Sequence, residues 1–180
     1  MKPEIQNNDK LRRLIGILAW GLLLLIGAPL VAGGGQFTVV RVYDGDSFKA
    51  VGHDIAINVR LAGIDSPETG HGKKTMGQPF GQEAKTYLAA RVLNKTVEIK
   101  GFGLGPYNRI LGIVYLEGEN INLEMVRSGL AEVYQGRLPR EFDVRPYLLA
   151  QLDARRAERG MWVLKEKYVS PQQWRRIAKR

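Results

Sequence analysis

Carboxylate and guanidinium side chains that could hold a metal ion and a phosphate occur in four patches of the sequence. Two aspartates flank a glycine at 44–46, Arg60 ends an aliphatic stretch, Asp-Ser-Pro-Glu occupies 65–68, and Arg109 follows a glycine-rich segment. Carboxylate oxygens suit a hard cation, and the planar fork of arginine suits phosphate oxygens. Each patch alone has a plainer explanation, namely a turn, a helix cap or a solvated charge at a strand end. Their joint occurrence, in this order and spacing, favours a common site.

The composition restricts which metals and partners fit this chain. It has 180 residues and no cysteine, and its two histidines, His53 and His71, are too far apart to form a zinc-binding pair on one helix. Disulfides, thiolate metal sites and cysteine nucleophiles are therefore excluded, and any metal would be held by oxygen. The formal net charge of +9 attracts polyanions. Nucleic acid and anionic lipid are both candidate partners, and a solvated basic surface explains the charge equally well.

The elements that must position the four patches are short strands followed by helices. Residues 37–43 alternate and are rich in β-branched side chains, and Asp44-Gly45 is a strong turn signal. The sequence predicts strands at 37–43, 47–51, 55–62, 97–100 and 109–116, a loop at 63–80, and helices at 82–93, 121–128, 146–159 and from Ser170-Pro171 onward. Five successive strands with about three packed helices predict an α+β fold built on a five-stranded OB-type barrel.

An apolar segment precedes this part of the chain. Residues 14–32 carry no charge and follow basic residues at 10, 12 and 13, and their run approaches the ~20 residues that cross a bilayer as a helix. The segment is interpreted as a signal anchor or as a signal peptide cleaved near Gly34, with the anchor preferred. The basic flank predicts a cytoplasmic N-terminus, so the rest of the chain is expected to be exported. It would be membrane-anchored in the first case and secreted or periplasmic in the second.

The same reasoning gives the expected domain organisation. An N-terminal signal segment with a glycine linker occupies 1–35, the main domain spans 36–165, and a basic C-terminal tail or helix covers 166–180. The basic side chains of this end are interpreted as a solvated helix in preference to a lipid-binding surface or an additional nucleic-acid surface. They are Lys165, Lys167, Arg175, Arg176, Lys179 and Arg180.

Several motifs of the main domain occur together in one known family. They are Asp-Gly-Asp-Ser from Asp44, Arg-Leu-Ala-Gly-Ile-Asp-Ser-Pro-Glu from Arg60, Tyr-Asn-Arg before the strand at 109–116, the run at 122–131 and Gly-Met-Trp at 160–162. With these motifs, residues 37–162 resemble the thermonuclease, or staphylococcal nuclease-like, family. The resemblance implies an OB-fold barrel that binds one calcium ion and hydrolyses phosphodiester bonds.

The resemblance also assigns expected metal ligands. Asp46 and Asp65 match the family's calcium-binding aspartates, and Ser66 stands where a threonine supplies a main-chain carbonyl. Because that ligand is a backbone atom, the serine is expected to be harmless. Asp44 matches a nearby carboxylate that supports the ligands without binding the ion.

Three further positions match the family's catalytic residues. Glu68 matches the glutamate proposed as general base, and Arg60 and Arg109 match the two arginines that grip the scissile phosphate. The sequence departs from the family before Arg109, where Asp-x-Tyr-Gly-Arg is usual and Gly-Pro-Tyr-Asn-Arg stands at 105–109. Tyr107 is retained and is expected to lie against a base or sugar of the substrate.

The function expected from the resemblance is a calcium-dependent endonuclease of DNA, RNA or both, with little sequence specificity. Lys73, Lys74 and Arg137 would help to hold the polyanion. We expect that Glu68→Gln or Arg60→Ala abolishes cleavage and leaves the fold intact. The alternative is a non-catalytic nucleic-acid or protein-binding module at the membrane, because some domains of this fold have lost the catalytic acids. No obligate protein partner is implied.

Overall fold

The strands lie close to the segments that the alternation of apolar residues predicts. The structure is a computed structural model and describes residues 35–70 and 76–178. The predicted N-terminal apolar helix lies outside this part. The strands are β1 (Gly35–Val42), β2 (Ser47–Gly52), β3 (Ile55–Leu61), β4 (Ile64–Asp65), β5 (Thr96–Gly105), β6 (Arg109–Leu116), β7 (Glu119–Asn120) and β8 (Glu132–Val133).

The five long strands close into a barrel. The strand order is β3-β2-β1-β5-β6, with each neighbouring pair antiparallel, and a parallel pairing of β3 with β6 completes the ring. The short strands β4 and β8 form a separate antiparallel pair. Closure leaves no free edge among the long strands. The predicted five-stranded barrel and α+β class are therefore confirmed.

The described residues contain four α-helices, one for each of the four predicted helical segments, although only about three were expected to pack on the barrel. They are α1 (Gly81–Val92), α2 (Ile121–Arg127), α3 (Arg145–Arg156) and α4 (Pro171–Ile177), and 3-10 turns occupy Pro106–Asn108 and Gly160–Lys167. Helix α1 buries Ala84, Leu88 and Val92, the three residues that the helical spacing predicts. Gly129 follows α2 with a positive φ of 71°, as expected of a glycine that ends a helix.

The apolar side chains of the barrel and helices form one main core. Phe48, Leu61, Leu88 and Met125 are among its largest fully buried members. Strand β1 buries Val39 and Val42 instead of strictly alternate residues. The pairing of β1 with β2 shifts between Val39 and Arg41, and such a bulge moves the following side chains to the opposite face.

Three local predictions are wrong. The segment after residue 100, predicted as a loop, continues as strand β5 to Gly105, with an irregularity between Gly101 and Leu104. Helix α3 ends at Arg156, three residues before the predicted end. The helical spacing of Leu149 and Leu152 predicts that they share a buried face, but both are exposed. Its buried face instead carries Tyr147, Ala150, Gln151 and Ala154.

The C-terminal segment packs onto the protein beside the barrel. Met161 and Trp162 are buried with Ala154, and the rings of Trp162 and Tyr168 lie 4.6 Å apart between centroids. Ser170 then caps α4 through a capping box with Gln173. Among residues 35–70 and 76–178, none of the helices combines the length and apolar character that a bilayer crossing requires.

Candidate active site

Sheet register brings the first aspartate and the first arginine together. Ser47 of β2 pairs with Arg60 of β3, so the residue before Ser47 lies beside the end of β3. The backbone N–H of Leu61 donates to the carbonyl oxygen of Asp46 at 2.8 Å, which ties the turn to the strand. Residues 14 positions apart in sequence therefore meet at one end of the barrel.

A buried network of charged groups occupies this end of the barrel. Arg60 donates from Nη1 to Oδ1 of Asp46 at 2.7 Å and from Nη2 to Oδ1 of Asp65 at 2.8 Å. The backbone N–H of Ser66 donates to Oδ2 of Asp46 at 3.0 Å. Asp46 and Asp65 are only 3% and 1% exposed. The residues predicted as metal ligands are thus brought together, with Arg60 between the two carboxylates.

Asp44 holds the turn that presents Asp46. Its Oδ1 accepts hydrogen bonds from the backbone N–H of Asp46 at 3.0 Å and from the Ser47 hydroxyl at 2.7 Å. Gly45 lies between them because a Cβ there would come within 2.6 Å of the Ala84 Cβ. These hydrogen bonds show how Asp44 could support Asp46 without binding an ion itself, which is the role that the sequence predicts.

Burial dominates the electrostatics of Asp46. Loss of solvation raises the pKa of Asp46 to about 8, while Arg60 opposes the shift and the neighbouring carboxylates of Asp44 and Asp65 reinforce it. Burial also lowers the pKa of the Arg60 guanidinium, but the two aspartates outweigh it and raise that pKa overall. Burial therefore disfavours the ionised form of Asp46, and positive charge nearby would favour it.

Glu68 lies next to the aspartate pair and is bound by an arginine that the sequence did not suggest. Arg175 of α4 donates from Nη1 to Oε1 of Glu68 at 2.6 Å. The same guanidinium donates from Nη1 to Oδ1 of Asp65 at 3.1 Å and from Nη2 to Oδ2 at 2.7 Å. The interpretation of Arg175 as a solvated charge is wrong, because the fold returns the end of the chain to the site.

Arg109 lines the same cleft but has no carboxylate partner in the described residues. Its Nε donates to the carbonyl oxygen of Pro106 at 3.3 Å, and its guanidinium carbon lies 5.6 Å from the ring centroid of Tyr107. Tyr107 is 89% exposed. Asn108 has a φ of 54°, a left-handed conformation that asparagine tolerates better than most residues. This explains how asparagine can replace the glycine usual in the family.

Most of the predicted residues line one open cleft of about 530 Å³, and Asp65 lies behind it in contact with Arg60. Arg137, expected to help hold a polyanion, also lines it. Lys73 and Lys74 lie outside the described residues. The site residues that line the cleft are Asp44, Asp46, Arg60, Ser66, Glu68, Tyr107, Arg109 and Arg175.

Sequence reasoning missed a third buried acid, which lies beside Asp65. Glu132 is 3% exposed, and its backbone pairs with Asp65 across β4 and β8. Tyr168 donates its hydroxyl proton to Oε2 of Glu132 at 2.6 Å. Burial raises the pKa of Glu132, and the charge of Asp65 adds to the shift. No spacing in the sequence signals this contact, since it depends on the pairing of two two-residue strands.

Comparisons with known proteins agree with this geometry. The family described as staphylococcal nuclease homologue matches residues 58–164. An uncharacterized endonuclease of Haemophilus influenzae is 37% identical over 143 residues, which cover 78% of this chain and 73% of that protein. The chain therefore belongs to the staphylococcal nuclease homologue family.

Two further relatives share a smaller part of their length. The proteins named probable endonuclease LCL3 of Kluyveromyces lactis and Komagataella phaffii are 38% and 36% identical to this chain over 113 and 129 residues. The matches cover 59% and 68% of this chain. They span 42% and 56% of the two relatives, so this chain matches about half the length of each.

Proposed function

We propose that this chain is a calcium-dependent endonuclease that hydrolyses phosphodiester bonds of DNA, RNA or both with little sequence specificity. The observation that carries the proposal is that Arg60 joins Asp46 and Asp65 at a cleft that Glu68 and Arg109 also line. Family membership and relatives named as endonucleases support the same conclusion. A domain that only binds nucleic acid would have no need for three acids in a basic cleft.

The donor atoms fit a hard divalent cation bound by few protein ligands. Among residues 35–70 and 76–178, no cluster of three or more acidic or histidine side chains is arranged to hold a metal. Two buried carboxylates are nevertheless in place, and a cation beside Asp46 would offset the desolvation that raises its pKa. Asp46, Asp65 and the Ser66 carbonyl would hold calcium, whose other positions water and phosphate can fill. When bound, such an ion neutralises charge that develops on the phosphoryl oxygens.

The arginines supply the other positive charges of the cleft. Arg60 uses two of its five N–H donors on the aspartates, and the remaining donors are available to a phosphate. Arg109 has its guanidinium N–H groups free of carboxylates in the described residues, so it can form a two-point contact with a phosphate. Removal of a charge-assisted donor of this kind costs about 10²–10³ in rate.

Glu68 would accept the proton of the attacking water in this proposal. Its carboxylate is partly exposed to the cleft and lies beside Asp65 through their shared contact with Arg175. It would take the proton from the attacking water as the bond to phosphorus forms, and general bases contribute about 10²–10⁴ in rate. Arg60 and Arg109 would hold the phosphate in place while the leaving oxygen departs.

A digest of single-stranded DNA and of RNA by the full chain tests the proposal. We expect cleavage of at least one polymer with calcium, none with a chelator, and none by Glu68→Gln with calcium. Gel-resolved fragment lengths would report internal cuts as early products of intermediate size. Absence of calcium-dependent cleavage, with the substrate still bound in a mobility-shift assay, would contradict the enzyme and favour a binding module.

Localisation and domain organisation complete the proposal. We propose that residues 1–35 direct export, that 36–165 form the nuclease domain and that 166–180 are a basic C-terminal extension. Calcium and extracellular polymers would both be accessible to a domain outside the cytoplasm. Protease accessibility in intact cells, with mass spectrometry of the N-terminus, tests export and separates the anchor from the cleaved peptide. Protection of the nuclease domain inside cells would contradict export.

A further inference from the structure

Helix α4 and the segment just before it form hydrogen bonds with the loop that follows Asp65 and contains Glu68. Trp174 donates from its indole Nε1 to the carbonyl oxygen of Met76 at 3.3 Å. Gln78 donates from Nε2 to the carbonyl oxygen of Val169 at 2.6 Å, and its Oε1 accepts the backbone N–H of Glu68 at 3.2 Å. The helix lies beyond residue 164, where the match to the family ends. It is therefore an addition to the matched domain that contacts the site directly.

Arg175 forms hydrogen bonds with two acids of the site, Asp65 and Glu68. Its guanidinium binds both oxygens of Asp65 and one oxygen of Glu68. Asp65 receives another N–H from Arg60, so three guanidinium N–H groups converge on this carboxylate. The neighbouring Arg176 is exposed, although it belongs to the same short helix. The contact is thus particular to one side chain and does not follow from the basic composition of the segment.

A divalent cation and Arg175 cannot both make their best contacts with Asp65. Calcium lies about 2.3–2.6 Å from its oxygen ligands, whereas the Arg175 nitrogens stand 2.7 and 3.1 Å from the two Asp65 oxygens. The ion and the Arg175 guanidinium would then share the buried Asp65 carboxylate, and like charges repel strongly where water is scarce. Binding of the ion must therefore loosen the contact between Arg175 and Asp65.

We propose that Arg175 binds Asp65 in the metal-free protein, where a divalent ion would otherwise bind. Binding of the ion is then coupled to release of α4 from Asp65 and Glu68. The inference rests on the calcium site of the proposed function. Coupling of two equilibria is reciprocal, so a change that weakens the Arg175 contact tightens metal binding by the same factor. In the metal-free protein the guanidinium pairs with Asp65 and Glu68 and so occupies the Asp65 side of the proposed metal site.

Calcium titration by isothermal calorimetry, with the full chain and two matched variants, tests the coupling. Arg175→Gln and Arg176→Gln each remove one positive charge from α4, so they change the long-range field alike. We expect Arg175→Gln to bind calcium at least about tenfold more tightly than the wild type, a change of about 1.4 kcal/mol. Arg176→Gln should bind calcium as the wild type does.

Hydrogen exchange of the wild-type chain gives a second test that needs no variant. Saturating calcium should increase amide exchange in residues 168–178, because α4 loses its contact with Asp65 and Glu68. Exchange in α1, which makes no contact with Arg175 among the described hydrogen bonds, serves as the internal reference. Unchanged exchange in 168–178 at saturation would overturn the coupling.

The titration separates failure of this inference from failure of the metal site. Calcium binding by the wild type with equal affinity in Arg175→Gln would overturn the role of Arg175 and leave the metal site standing. Weaker binding by Arg175→Gln would also overturn it, since Arg175 would then position Asp65 for the ion. Lack of calcium binding by all three proteins would overturn both the metal site and the coupling.

Discussion

The two arginines that the sequence assigns to one phosphate lie in contrasting surroundings. Arg60 is fixed at the end of a barrel strand, and two nearly inaccessible aspartates bind its guanidinium. Arg109 begins the neighbouring strand β6, and its described contacts are one backbone carbonyl and the exposed ring of Tyr107. The parallel pairing of β3 with β6 brings both strands to the same cleft.

The two arginines therefore differ in how firmly their guanidinium groups are held. Arg60 is held in a fixed position by Asp46 and Asp65, and it also compensates their buried negative charge. Substitution of Arg60 therefore affects activity and stability together. Arg109 has one backbone hydrogen bond and one ring contact, so we expect its removal to affect the fold less. In the proposed function, Arg60 both binds the acids and faces the phosphate, whereas Arg109 serves the substrate alone.

Arg60→Ala should have the largest effect, on both activity and stability. Removal of one partner of a buried ion pair costs about 3–5 kcal/mol, because two buried carboxylates lose their counter-charge. Nuclease activity should fall by at least about 10²–10³. Urea unfolding and a digest measure the two effects, with the exposed Arg140→Ala as control. The sequence predicts that Arg60→Ala leaves the fold intact, whereas the burial of Asp46 and Asp65 predicts a loss of stability. A variant as stable as the wild type would favour the first prediction.

Arg109→Ala should lower activity by about 10²–10³ and leave stability almost unchanged. Surface substitutions of this kind usually change the free energy of unfolding by less than about 0.5 kcal/mol. The same unfolding and digestion assays apply. A loss of stability similar to that of Arg60→Ala would remove the contrast between the two arginines.

Asp46→Asn should change how the stability of the metal-free protein depends on pH. Because burial raises the pKa of Asp46 to about 8 from 3.8, the native state binds more protons than the unfolded state between these values. Stability therefore falls as pH rises through this window, by at most about 1.4 kcal/mol per pH unit. The variant should show a shallower fall in urea unfolding with chelator at pH 5 and pH 8. An equal fall in the variant would contradict a raised pKa of Asp46, because an aspartate ionised in both states adds no slope.

Tyr107→Ala should have the smallest effect and should act on substrate binding alone. Stacking of an aromatic ring on a base contributes about 1–3 kcal/mol, and we expect the lower end because this ring is exposed. The Michaelis constant for single-stranded DNA should rise about fivefold to tenfold with little change in kcat, whereas Tyr107→Phe should match the wild type. An equal loss in both variants would assign the effect to the hydroxyl instead of the ring.

The sequence predicted most of the barrel because each long strand carries its own local signals. Alternation in β3, the turn at Asp44-Gly45 and the spacing of Ala84, Leu88 and Val92 act over a few residues. The prediction failed in α3, where small residues and a glutamine face the core and leucines face solvent. Residue type there was a poor guide, because the space left by neighbouring elements determines which side chains fit.

The sequence by itself determined the strand-rich fold, its family and the acids and arginines that meet in the cleft. Its motifs are short and their residue types are chemically restricted, so they are recognisable without coordinates. Only the tertiary structure decided that Arg60 is shared by two buried aspartates, that Glu132 lies opposite Asp65, and that Arg175 binds Asp65 and Glu68. The last of these contacts joins residues 107 positions apart. Contacts over such separations arise from packing of whole elements, for which no local pattern in the sequence exists.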